Sequence, residues 1–156
     1  MNAVTVRPPL DALSARLREL HSHALAAAGE GGAATAGFAL FERLINDPEW
    51  AWLRPLSALI ADIDQVTSEP QSAGADLEAA AAAQVRGLLF GDGELSQPAF
   101  LERYRPLLQR HSALASTHGE LRRLLRAFPL EAAGESERLR ARQHWAARCQ
   151  PRRRAG

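Results

Sequence analysis

Apolar residues in this chain recur every three or four positions, and nowhere do they alternate with polar ones over the length of a strand. Leu10, Leu13, Leu17, Leu20, Ala24 and Ala27 draw one continuous stripe at helical spacing. Valine and isoleucine, which favour strands, are scarce. The pattern predicts an all-α protein. Short connections between most helices favour antiparallel neighbours, hence an up-and-down antiparallel helical bundle of four to five main helices plus short helices.

Punctuation residues divide the pattern. The first helix is expected over about 9–28 and ends at Gly29–Gly32; a second, about 35–46, carries Phe38, Phe41 and Ile45 on one side. Asp47-Pro48 is a boundary, with aspartate suited to the N-cap and proline to the first helical position. The third helix starts there and kinks or restarts at Pro55, then buries Leu56, Leu59, Ile60, Ile63 and Val66. Asp62 and Asp64 lie roughly 100° to either side of that stripe, so they border the core and cannot meet.

Residues 68–75 read as a loop, and 75–90 as a fourth helix capped by Gly91. Ser96 or Gln97 caps a fifth, with Pro98 in its first turn. A sixth spans about 112–127 unless the Thr117-x-x-Glu120 capping box restarts it near 118. A last helical segment covers about 135–148. The expected organisation is a flexible N-terminus over 1–8, one bundle domain over 9–148 and a disordered basic tail over 149–156.

Composition narrows the function classes. A chain of 156 residues can bury a sizeable core without metal or disulfide help. All 19 basic residues are arginine, and alanine is abundant, which fits a GC-rich coding sequence and discounts arginine excess as a functional mark. The net charge of +1 argues against a generic polyanion binder. The single cysteine, Cys149, excludes an intramolecular disulfide and any zinc site built on several cysteines, and reads as a bystander thiol. No apolar run has the length of a signal peptide or a membrane span, so a cytoplasmic protein is expected.

Motifs of catalysis are missing. No serine sits in a Gly-x-Ser-x-Gly elbow, and Gly29-Glu30-Gly31-Gly32 lacks the lysine of a phosphate loop. His21, His111 and His118 are the candidate metal ligands. His111 and His118 share a helical face but stand about two turns apart, roughly 10 Å, so they cannot hold one ion together. The Glu-x-x-His of di-iron bundles does not occur. No cofactor is expected.

Two other features carry weight. Residues 135–156 hold seven arginines against two glutamates, leaving the remainder near −4. Arg138, Arg142, Arg152, Arg153 and Arg154 are thus candidates for contact with nucleic acid, beside Trp145 and His144 as stacking groups. Residues 47–57 concentrate two of the three tryptophans. Trp50 and Arg54, four apart, can stack as a cation–π pair, and Trp50, Trp52 and Arg54 together have the composition of an interface hot spot. Two positions apart, the indoles diverge, and whether one or both are covered is open.

The run Asp47-Pro48-Glu49-Trp50-Ala51-Trp52-Leu53-Arg54-Pro55-Leu56-Ser57, with Phe90-Gly91-Asp92-Gly93 and 100–108, resembles a segment of uncharacterised small bacterial all-helical proteins. That resemblance implies a bacterial source and a helical fold, and carries no catalytic residue. The expected function is a non-enzymatic interaction or regulatory protein that associates with itself or with a protein partner through Trp50, Trp52 and Arg54. The alternatives are a metal- or small-ligand-binding bundle and a nucleic-acid accessory protein; no membrane partner is expected.

Overall fold

The leucine stripe of the first helix is fully realised. In the computed structural model, which describes residues 10–29, 50–69 and 74–155 (the last six as backbone only), α1 spans Leu10–Ala28, and all six stripe residues are buried. The expected helix over 35–46 and the Asp47-Pro48 boundary lie outside the described residues, as does the N-terminus. Among the described residues there are six α-helices and no strand.

Pro55 sets the next start. A turn at Trp50 leads into a single 3-10 turn, Ala51–Leu53, and α2 follows over Arg54–Thr67 with Pro55 in its first turn. A proline there forfeits no helical hydrogen bond, because the first N–H groups have no partner within the helix. Leu56, Leu59, Ile60, Ile63 and Val66 face the core as the spacing predicts.

Helix α3 runs over Ala75–Phe90 and ends at Gly91, whose φ of 74° is the left-handed geometry that glycine adopts without strain. After the 3-10 turn Gly93–Leu95 come α4 (Pro98–Arg110) and α5 (Ser112–Leu125). No restart occurs within α5: Thr117 is buried and its hydroxyl donates to the Ala113 carbonyl one turn back, so the capping-box spacing forms no cap. Pro106 lies inside α4 whereas Pro55 opens α2.

The last helix, α6, extends over Glu135–Ala155 and so continues beyond the expected end at 148. Its anchor is apolar: Trp145 and Cys149, one turn apart, are both in the core. Helix α1 packs on α2 and α5, while α3 and α2 receive α6. Where α3 meets the 3-10 turn, Gly87 gives room. A Cβ there would stand 2.6 Å from the Leu95 Cβ and 2.7 Å from its backbone.

Candidate functional site

The tryptophan segment divides into an inner and an outer part. Trp50 is 7% exposed, and its ring lies against Gly29, where a Cβ would meet the indole at 3.2 Å. Trp52 is half-buried and tilts onto Phe100 at 5.5 Å, and Arg54 is exposed. Trp50 therefore serves the core, and Trp52 and Arg54 are the residues of the trio that reach solvent. Trp52 borders an open cleft of about 570 Å³ beside Glu102, Arg103, Arg110 and His111.

Each candidate metal ligand has a different setting. His21 on α1 pairs its Nε2 with Ser57 Oγ on α2 at 2.8 Å, and the Ser57 hydroxyl reaches the Leu53 carbonyl at 3.4 Å. If the hydroxyl donates to that carbonyl, Nε2–H donates to the hydroxyl oxygen. Burial lowers the His21 pKa. His111 occupies the extended junction between α4 and α5, where its N–H bonds the Leu107 carbonyl.

His118 on α5 faces Tyr104 on α4, with Nδ1 2.8 Å from the phenolic oxygen. Phe90 covers the imidazole at 4.5 Å, and the Arg122 guanidinium lies 5.0 Å over the Phe90 ring. Burial first, and then the Arg122 charge, push His118 down to about 4; burial raises the Tyr104 pKa. At neutral pH both groups are uncharged, and the assignment that satisfies the buried hydroxyl has Tyr104 donating to Nδ1. Among the described residues, no three histidine, cysteine or acidic side chains converge as a metal site.

Three of the C-terminal arginines, Arg138, Arg142 and Arg148, are engaged within the protein. Arg142 makes a bidentate pair with Glu131 at 2.7 and 2.8 Å and reaches Glu94 at 3.1 Å, contacts that raise its pKa further. Arg138 points its guanidinium at the carbonyls of Ala132 and Ala133. Arg148 lies in ion-pair contact with Glu69 at 2.9 Å. Trp145 is buried and cannot stack on a base, and His144 bonds Asp76 at 3.1 Å, which lowers the Asp76 pKa. The side chains of Arg152, Arg153 and Arg154 lie outside the described residues. Cys149 is fully buried, its sulfur 3.9 Å from the Asp62 carbonyl.

Asp62 and Asp64 diverge as their spacing requires. Asp64 accepts a 2.6 Å hydrogen bond from Ser14 and pairs with Arg18, both on α1, whereas Asp62 is buried. The Tyr104–His118 pair and the Arg142–Glu131 fork join residues 14 and 11 positions apart across turns, a pairing no helical spacing encodes. The chain matches no protein-family model, no curated protein sequence and no solved structure, so its residues alone carry the functional reading.

Proposed function

We propose that this chain is a non-enzymatic interaction protein of the bacterial cytoplasm. Its four or five main helices stand up-and-down, and it self-associates through the face bearing Trp52 and Arg54. The observation that carries the reading is the half-buried Trp52 ring, which lines the cleft with Arg103 and Arg110, together with the exposed Arg54 two residues along the chain. An aromatic ring with an arginine neighbour concentrates binding energy when a partner excludes water from both. A non-catalytic role is supported by the use made of the polar groups: His21, Asp64, His118 and Glu131 each join one stretch of the chain to another.

Sedimentation of the full chain tests this. The wild type is expected to sediment as a dimer and a Trp52→Ala/Arg54→Ala variant as a folded monomer. A wild-type chain that stays monomeric at high micromolar concentration sinks the self-association reading. Trp50 is unsuited to this test, because truncating a buried indole costs about 3–5 kcal/mol of stability and would confuse unfolding with dissociation.

A further inference from the structure

Away from the Trp52 face, the C-terminal ends of α3 and α5 enclose an open cleft of about 580 Å³. Its apolar walls are Phe90, Leu125, Phe128 and Leu130, and its charged groups are Arg86, Arg122 and Arg126 against Asp92. Leu130 is 77% exposed, the most exposed large apolar side chain among the described residues.

Helix C-termini attract cations, so arginines here have an ordinary structural use. Arg86 meets it, donating to the Leu125 carbonyl at 2.7 Å. Arg122 and Arg126 exceed that need. They stand four apart at the end of α5, both are exposed, and neither forms an ion pair among the described residues. The Arg122 guanidinium carbon lies 5.0 Å over the Phe90 ring, and a guanidinium resting on an aromatic face keeps its in-plane N–H donors for a carboxylate. Three guanidiniums against one carboxylate give the cleft a surplus of positive charge. The volume lies within the range of small-molecule sites.

We propose that this cleft binds a small carboxylate with an apolar chain. The carboxylate meets Arg122 and Arg126, and the chain lies along Phe128 and Leu130. The site is independent of the Trp52 face and of self-association.

Titration calorimetry of the full chain with decanoate, kept below its micelle concentration, tests the assignment. Saturable binding is expected, with acetate and decylammonium each at least tenfold weaker, since one lacks the chain and the other the charge. Arg122→Gln/Arg126→Gln is expected to weaken decanoate at least tenfold, and Leu130→Gln about threefold. Leu130→Gln changes an exposed side chain and leaves the core intact, so it keeps the test decisive if the double variant folds poorly. No saturable binding of decanoate, equal affinity for acetate or decylammonium, or unchanged affinity in both variants overturns the proposal.

Discussion

Tyr104 places its hydroxyl 2.8 Å from Nδ1 of His118, joining α4 to α5 beneath the rings of Phe90 and Phe100. The phenol is fully buried and the imidazole partly so. Each group is the other's means of leaving water without an unmet hydrogen bond. Tyr104→Phe deletes the donor and keeps the ring, so its cost isolates the bond: about 1–3 kcal/mol, read as a lower denaturant midpoint at unchanged slope.

The same pair makes stability depend on acid. His118 is lowered from the ordinary 6.5 to about 4 in the fold, and His21 is lowered by burial. Above pH 6.5 both imidazoles are neutral folded or unfolded, and their contribution is fully present. As pH falls, the unfolded chain takes up protons first, so stability drops between about 6.5 and 4. Asp76, whose pKa is also lowered, loses its contribution only below 3.8. Melting temperatures across pH 4–8 should fall on the acid side, and His118→Gln should flatten that limb. A wild-type profile flat from 7 to 4.5 would contradict the neutral buried imidazole.

Two glycines give opposite expectations. Gly87 faces Leu95 so closely that a Cβ would overlap both side chain and backbone, at 2.6 and 2.7 Å. Gly87→Ala must displace the 3-10 turn and should destabilise by about 1–3 kcal/mol. Gly119, within α5, has nothing within 4 Å of its would-be Cβ. Gly119→Ala should stabilise by about 0.5–1 kcal/mol, because it only removes unfolded-state freedom and raises helix propensity. Paired denaturant titrations check the difference in sign.

Local spacing explains how far the fold could be read. The buried faces of α1 and α2 follow from periodicity, and α3 ends at Gly91, a residue type that turns left-handed without strain. The spacing failed where one local code competed with another. Thr117 has the right distance to Glu120 for a cap, yet as a buried helical residue its hydroxyl turns back to Ala113. The end of α6 was hidden because arginine dominates its composition while two residues, Trp145 and Cys149, hold it down. The polar pairs were least legible. Asp64 could be placed on the flank of α2, but not opposite Ser14 and Arg18, since their separation of about 50 residues is a tertiary fact.

Arg142 tests whether the arginine-rich end is part of the fold. Its fork on Glu131 is mostly shielded, with 19% and 16% of the two side chains exposed, and it ties α6 to the segment that precedes it. A double-mutant cycle of Arg142→Ala and Glu131→Ala should give a coupling of about 1–2 kcal/mol, above that of an open surface pair. The exposed Arg16–Glu19 pair within α1 should give none that can be measured. Equal couplings at the two sites would mean that the fork opens to solvent.

Cys149 reports on the docking of α6 directly. Its thiol is 0% exposed, packed with Trp145 in the core and 3.9 Å from the Asp62 carbonyl. Only a thiolate reacts with a disulfide reagent, and the sulfur must first be uncovered. The native protein at pH 8 should therefore label slowly, at a rate set by opening of the last helix, and stoichiometrically at once in denaturant. Trp145→Ala removes the other apolar anchor one turn away, so it should speed native labelling at least tenfold. Conversely, a native thiol that reacts as fast as in denaturant would show that α6 does not stay seated on α2 and α3.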